Sequence, residues 1–275
     1  MKKECGFPEA VIFDLDDTLL HDDLSLSSFS VDVLRRMRKK GCLIVPASGR
    51  ALLSMKPYVD LIGCADACIA CNGAEIWSGD TRRLLWSDSL PAETARDIAL
   101  FAESHGCYAQ TYEEDRFCFN HHCAYADRYA RSARLKGVCV GNLSDYIREP
   151  RNKILLMDEA NVIASLYKEA RERFSSRASI TCSKPFYLEF NPLSATKGNA
   201  LATLSLLLGF SLVKTIAFGD SLNDLPMLEK AGTSVAVSNG WQQIRACCDA
   251  VCGTNNEDGP AVFLNEHYLI REVTA

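Results

Sequence analysis

Three aspartates fall within four residues in Asp14-Leu15-Asp16-Asp17, directly after the apolar run Ala10 to Phe13. Two carboxylates ~4 Å apart repel by roughly 4 kcal/mol at an effective dielectric of about 20. A fold that gathers them at a strand end implies a cation among them. On an extended chain Asp14 and Asp16 share a side, while Asp17 turns away. Such a pair suits a hard divalent cation bound through oxygen, and Mg2+ takes roughly one or two protein carboxylates, with water and phosphate filling the rest. Asp220 and Asp224, after a second apolar run, can complete the cluster. Lys197 opens a helical stretch after Pro192-Leu193-Ser194-Ala195-Thr196, where its ammonium can meet an anion. Ser48 and Gly49 precede a helical stretch, and a hydroxyl with free backbone N–H groups favours phosphate there. The chemistry on offer is acids for a metal, with a lysine, a serine and a helix start for a phosphoryl group. An aspartate that attacks phosphorus through an aspartyl-phosphate is one known route for such a set.

The elements that must position these groups alternate. Ala10 to Phe13, Cys42 to Ala47 and Cys68 to Cys71 read as short buried strands, followed by polar clusters at Asp14–Thr18, Ser48–Arg50 and Asn72–Gly73. Val31, Leu34 and Met37 recur at helical spacing with Ser30 as the expected N-cap, and Arg35 to Lys40 make a solvated, dipole-compatible helix end before Gly41. Near the end of the chain Asn199 to Leu208 is helical, Thr215 to Phe218 a strand, Leu225 to Lys230 a short helix and Ser234 to Val237 a strand. Alternation of this kind predicts an α/β fold with a Rossmann-like parallel sheet, whose ligand site lies beyond the carboxyl ends of the strands. The polar clusters all fall at such ends.

The middle reads differently. Helical stretches Ala92 to His105 and Ala160 to Phe174 and strand-like pieces Arg116 to Phe119 and Lys153 to Met157 suggest an inserted α+β cap domain, with Pro91 and Pro185 near its edges. The expected division is a discontinuous core of 1–84 and 187–275, interrupted by a cap of 85–186.

Composition narrows the partners. A chain of 275 residues, 48% hydrophobic and 24% charged, has the make-up of a globular protein, and a net charge of −5 argues against nucleic acid. The N-terminus lacks a signal-peptide pattern and Leu201 to Phe210 is too short to span a bilayer, so the expectation is a cytoplasmic chain without a membrane partner. Thirteen cysteines in that setting read as reduced thiols. Cys68-Ile69-Ala70-Cys71 has zinc-ligand spacing, but a strand turns residues three apart to opposite faces. Cys118-Phe119-Asn120-His121-His122-Cys123 holds four possible ligands, although a strand or loop carrying polar substrate contacts is the preferred reading. No nucleotide-binding glycine loop, H-E-x-x-H or G-x-S-x-G pattern occurs.

The ordered set Asp14-Leu-Asp16-Asp-Thr18, Ser48-Gly49-Arg50, Lys197-Gly198 and Gly219-Asp220-Ser-Leu-Asn223-Asp224 resembles the four motifs of the haloacid dehalogenase-like phosphatases. Asn72-Gly73-Ala74-Glu75 and Asn256-Glu257-Asp258-Gly259 are similar to the Cof-type, or type IIB, subfamily, which inserts its cap between the second and third motifs. The resemblance implies a Mg2+-dependent phosphatase acting on a small phosphomonoester, with a sugar phosphate the leading candidate. It implies that Asp14 is the nucleophile and Asp16 the proton donor and then base. Mg2+ would be held by the Asp14 carboxylate, the Asp16 backbone carbonyl and Asp220, with Asp224 directly behind or among them. Ser48, Gly49, Lys197 and Asn223 would bind phosphate. Arg116, Asn120, His121 and His122, with Tyr112 beside them, are the candidate substrate contacts in the cap. A phosphomutase-like transferase and a non-catalytic sensor of a phosphorylated metabolite are the alternatives; the full acid set weighs against the sensor. Asp17 departs from the subfamily's usual glycine, adding charge and removing backbone freedom at the turn.

Overall fold

A computed structural model describes residues 6–113, 116–133, 135–182 and 184–270. In chain order the strands are β1 (Ala10–Asp14), β2 (Leu43–Ala47), β3 (Ala67–Ala70), β4 (Glu75–Ser78), β5 (Leu84–Ser87), β6 (Tyr108–Tyr112), β7 (Arg116–Phe119), β8 (Lys136–Cys139), β9 (Ile154–Met157), β10 (Ser179–Thr181), β11 (Tyr187–Asn191), β12 (Thr215–Gly219), β13 (Thr233–Val237) and β14 (Ala250–Cys252). They form two sheets in two compact units. The first unit draws on Met1–Ser48, Met55–Trp86 and Thr196–Ala275, the second on Gly49–Ser54 and Ser87–Ala195.

In the first unit eight strands lie in the order β14-β13-β12-β1-β2-β3-β4-β5. From β14 to β3 every pairing is parallel, and only then does β4 turn back antiparallel to β3. All five residues of β1 are buried, which is why the strand reads as a continuous apolar run. Ala10 and Ile12 join Val45, Ala47, Ile69 and Ala217 under Leu201 and Leu204 of the helix Lys197–Leu208. β1 lies between β12 and β2, so the order of connection reverses at its carboxyl end, where the sheet opens a crevice. The α/β class and parallel core expected from the sequence are what the chain builds.

The cap of the first long helix shifts by three residues. The first long helix is Ser28–Lys39, and its N-cap is Ser27, whose hydroxyl accepts the Ser30 N–H. Ser30 sits inside the first turn and donates its own hydroxyl to Asp258 at 2.9 Å. Both serines satisfy the capping preference, and periodicity alone did not separate them.

The second unit is an α+β layer of its own, with strand order β10-β11-β9-β6-β7-β8. Helices Ala92–Ser104 and Ala160–Phe174 cover one face, burying Ala109, Cys118, Ile154, Leu156 and Phe190. On the other face Tyr108, Gln110, Tyr112 and Tyr129 form one hydrogen-bonded chain. The boundary differs from the sequence expectation of residue 187: β11 belongs to this second sheet, paired antiparallel with both β10 and β9. Pro185 therefore lies in the connection between β10 and β11, and the chain returns to the first unit at Thr196. Proline marks turns as readily as linkers, which is the physical source of the shift.

Gly198 is a close-approach residue. A Cβ there would sit 2.1 Å from the Pro226 carbonyl oxygen, so the helix that begins at Lys197 can lie against the helix Leu225–Lys230 only with glycine at this place. Gly198→Ala should cost about 1–3 kcal/mol in urea unfolding through this overpacking. Unchanged stability would contradict the close packing.

Candidate active site

The site starts where β1 ends. Asp14 is 5% exposed, and the chain then leaves the strand through a wide turn closed by the Leu20 N–H on the Leu15 carbonyl at 2.8 Å. Asp16 keeps an extended conformation and Asp17 takes the left-handed one, with φ of 58°. Aspartate tolerates that region better than most side chains, which accounts for Asp17 standing at a glycine position. The turn also directs Thr18 inward, where its hydroxyl donates to Asp220 Oδ1 at 3.1 Å.

Pairing of β1 with β12 sets Phe13 beside Phe218, so the residues that follow each strand are neighbours across the sheet. Asp14, Asp220 and Asp224 consequently offer carboxylate oxygens within 4.8 Å of one another. A Cβ on Gly219 would lie 2.6 Å from the Asp224 Cβ, so glycine is what admits Asp224. Asp224 Oδ2 accepts the backbone N–H groups of Asp220 at 3.0 Å and Ser221 at 3.1 Å, tightening the loop on itself. Its other oxygen accepts Lys197 Nζ at 2.6 Å.

Lys197 is fully buried, and its Nζ also donates to Asp14 Oδ1. Thr196 caps the helix by accepting the Asn199 N–H at 3.0 Å and fixes where Lys197 enters it. Burial works against the ammonium, but the carboxylates of Asp14 and Asp224 more than offset it, so Lys197 holds its proton more tightly than a free lysine. Burial chiefly raises Asp14 well above the usual carboxylate range. Lys197 opposes this, while Asp224, Asp220 and Asp16 add to it. Burial and then the charge of Asp224 push Asp220 up to about 7. Three buried carboxylates face one ammonium, a deficit of positive charge that a divalent cation bound through oxygen corrects. The donor set thus fits a hard metal ion.

The neighbouring strand ends supply polar hydrogen-bonding groups. Ser48, 1% exposed, donates its backbone N–H to Ile69 and accepts the Asn72 N–H on its carbonyl. Asn72 Oδ1 accepts Asn223 Nδ2 at 3.2 Å, and Asn223 Oδ1 accepts the Ser221 hydroxyl at 2.7 Å. Cys71 and Asn72 both have positive φ, at 50° and 55°, a strained pair of the kind that collects at functional loops. The helix expected to follow Ser48-Gly49-Arg50 starts at Leu52. Gly49 itself opens the segment that clusters with the second unit, where its carbonyl accepts Lys153 Nζ at 3.1 Å.

Of the sequence-predicted residues, Asp14, Lys197, Asp220 and Asp224 converge, with Ser48 and Asn223 at adjacent strand ends. The carboxylate of Asp16 is not part of the three-acid group. In the second unit Arg116 pairs with Glu113 at 3.3 Å. Asn120 is committed to backbone, accepting from Ala109 and His121 and donating to Cys107. His121 and His122 are exposed and rest edge-on against Tyr108 and Phe119. Tyr112 is buried in the tyrosine–glutamine chain. Among the described residues the only convergent group of potential metal ligands is the aspartate set, and the Cys118–Cys123 run forms none. Cys118 Sγ instead lies against the Tyr146 hydroxyl. Thr18 closes the first motif in the sequence, but its bond to Asp220 could not be read there because the partner lies 202 residues away. The buried Lys153–Glu189 ion pair escaped because its partners, one just before β9 and one in β11, lie far apart in the sequence.

A doubly wound parallel sheet with an acidic, lysine-bearing cluster at its switch point and a separate α+β unit defines a Rossmann-like enzyme with an inserted module. Residues 11–264 match the family model described as haloacid dehalogenase-like hydrolase, and the chain belongs to that family. It is similar to 5-amino-6-(5-phospho-D-ribitylamino)uracil phosphatase YcsE of Bacillus subtilis, 26% identical with 94% of this chain and 95% of the relative covered. It is also similar to pyridoxal phosphate phosphatase YbhA of Escherichia coli, 23% identical with 94% and 98% covered. The crystal structure of TM0651 from Thermotoga maritima superposes with a TM-score of 0.84 at 29% identity, covering 94% of this chain and 97% of that one. No helix among the described residues is long and apolar enough to cross a membrane.

The raised carboxylates make stability depend on pH. Asp220 goes from 3.8 unfolded to about 7 folded, so the folded chain binds this proton more tightly. Its contribution to stability is present below the unfolded value and is lost as pH rises through about 7. In chelator, the melting temperature should therefore fall between about pH 5 and about pH 8, and Asp220→Asn should flatten the fall. A decline of equal size in the variant would count against this assignment.

Proposed function

We propose that this chain, a phosphoric monoester hydrolase of the haloacid dehalogenase-like family, hydrolyses a small phosphorylated metabolite with Mg2+ by transfer through Asp14, a sugar phosphate being the first candidate. The observation that carries the reading is the buried Lys197 ammonium shared by Asp14 and Asp224 beside Asp220. A lysine so placed holds an attacking carboxylate in one orientation and leaves positive charge where phosphoryl oxygens gather.

The chain's residues divide the work as follows. Asp14 forms a bond from a carboxylate oxygen to phosphorus as the bond to the leaving oxygen breaks. Asp16, half-buried on the turn that follows, gives its proton to the departing alkoxide. The resulting Asp16 carboxylate then takes a proton from the water that attacks phosphorus, the Asp14–phosphorus bond breaks, and inorganic phosphate leaves. Lys197, Ser48 and Asn223 hold phosphoryl oxygens. Asp14, Asp220 and the Asp16 carbonyl would hold Mg2+, which when bound supplies the charge compensation that two mutually repelling anions require. Both Asp224 oxygens are taken by Lys197 and by backbone N–H groups, which supports a place for Asp224 behind the ligands rather than among them.

The curated relatives named above act on two chemically different phosphates, so membership of the family does not select a substrate. Arg116 and Asn120 are engaged within their own unit, which leaves His121 and His122 as the exposed polar side chains of the original candidates.

Release of inorganic phosphate from a panel of phosphorylated sugars, nucleotides and cofactors with Mg2+ tests the reading. Turnover on one or more small monoesters is expected, with no bisphosphate activator required. Strict dependence on an activator would favour a mutase, and binding without turnover a sensor. Asp14→Asn should lower kcat about a thousandfold or more while the circular dichroism spectrum stays unchanged. Near wild-type activity would remove Asp14 as nucleophile. Asp220→Ala should lose activity and weaken the response to a Mg2+ titration together.

A further inference from the structure

The turn that carries Asp16 leaves backbone groups without regular partners, because Asp17 breaks helical geometry and the next strand does not begin for many residues. Two of its carbonyls are met by side-chain amides from the other end of the chain. Asn239 Nδ2 donates to the Asp17 carbonyl at 2.8 Å. Asn255 Nδ2 donates to the Leu20 carbonyl at 3.0 Å and to Asp22 Oδ1 at 2.9 Å. The two amides are themselves joined, since the Asn255 N–H donates to Asn239 Oδ1 at 3.0 Å.

The same segment grips the chain just beyond the turn. Asn256 exchanges two hydrogen bonds with Asp22, donating to its carboxylate at 2.9 Å and accepting its N–H at 3.1 Å. Asp258 Oδ1 faces His21 Nε2 at 3.1 Å and accepts the Ser30 hydroxyl at 2.9 Å. Asp258 takes a positive φ of 55° to do so, and the Thr254–Glu257 capping box holds the segment's own start. Asn255 is 1% exposed, whereas Asn239 lies on the surface.

We propose that Asn239 and Asn255 are positioning residues for the proton-transfer step, fixing the turn so that Asp16 meets the leaving oxygen. The proposal rests on the reading of Asp16 as the acid. Asn239 bonds the carbonyl of Asp17, the residue after Asp16, and Asn255 bonds the carbonyl of Leu20, the residue whose N–H closes the turn. A backbone held at both points gives the Asp16 carboxyl one approach direction; released at either, Asp16 samples several. Bond making at Asp14 is governed by β1 and Lys197 and does not pass through these amides.

Leaving-group chemistry separates this role from general structural support. An alkoxide needs a proton as it departs, whereas a nitrophenolate leaves readily without one. The experiment compares wild type, Asn239→Ala, Asn255→Ala and Asp16→Ala, each with Mg2+, on p-nitrophenyl phosphate and on a primary alkyl phosphate that wild type hydrolyses. Melting curves accompany each variant, and the exposed Asn239 keeps the test open should Asn255→Ala unfold. In Asn239→Ala, kcat/KM, which reports the step in which the leaving oxygen departs and not the later hydrolysis common to both esters, should fall about tenfold further on the alkyl ester than on the aryl ester. Equal losses on the two esters, or none, in Asn239→Ala while Asp16→Ala is selective would overturn the positioning role alone. Absence of selectivity in Asp16→Ala would overturn the acid assignment first, and the positioning role with it.

Discussion

The buried ammonium of Lys197 is the constraint on which the first unit depends. An ammonium taken out of water costs several kcal/mol unless well-aligned partners surround it. Here Asp14 comes from the end of one strand and Asp224 from the loop after its neighbour, and both bond the same nitrogen. That meeting needs β1 and β12 parallel and in register, Gly219 small enough to admit Asp224, and Gly198 small enough for the lysine's helix to lie close. The requirement runs both ways. Without the lysine, three buried carboxylates would face each other unrelieved; without the carboxylates, the lysine would be an isolated buried charge. Even together they leave an excess of negative charge, which burial expresses as raised carboxylate pKa values. The cluster is thus held at a cost to the apo fold, as expected of a site whose groups are arranged for an ion and an anion not part of the chain.

Much of this arrangement was legible in the sequence, because its determinants are local or periodic. Buried parallel strands write themselves as short apolar runs, and the polar residues that end them mark one edge of the sheet. Leu225–Lys230, Ala160–Phe174 and Arg116–Phe119 fall where the pattern put them. What escaped has an equally physical cause. Ser27 and Ser30 compete for one cap, and only the hydrogen bond decides between them. The second unit ends nine residues later than expected, at Ala195 rather than 186, because a proline in a strand connection looks like a proline in a linker. The bonds from Asn239 and Asn255 to the Asp16 turn span more than two hundred residues and involve backbone carbonyls, which leave no trace in residue type.

The turn after β1 shows why identity and conformation must be read together. Asp17 looked like the superfluous acid of three, a charge with no task. Its backbone is what matters: φ of 58° lets the chain reverse so that Thr18 faces Asp220 while Asp16 stays extended. The carboxylate is not wholly without effect, since it is one of the charges that raise Asp220. A glycine would adopt the same conformation with less local negative charge and with a larger loss of chain entropy on folding.

The second unit argues against equating polar strand residues with substrate contacts. Tyr108, Gln110, Tyr112 and Tyr129 satisfy one another in a chain, Lys153 and Glu189 neutralise one another, and Asn120 serves three backbone groups. A buried hydroxyl or amide without a partner pays a penalty of about 1–3 kcal/mol, and for these residues the partners are internal. The buried Asn191 of β11, whose side-chain amide makes no hydrogen bond among the described residues, is the exception. Such groups shape and stiffen the unit but have little bonding capacity left for a ligand. The side chains of this unit whose polar atoms are not already committed are therefore a smaller set than residue type suggests. The same accounting explains the contrast with the first unit, where polar groups at the strand ends converge without neutralising one another's charge. A site is recognisable as the place where the fold leaves electrostatic demand unmet.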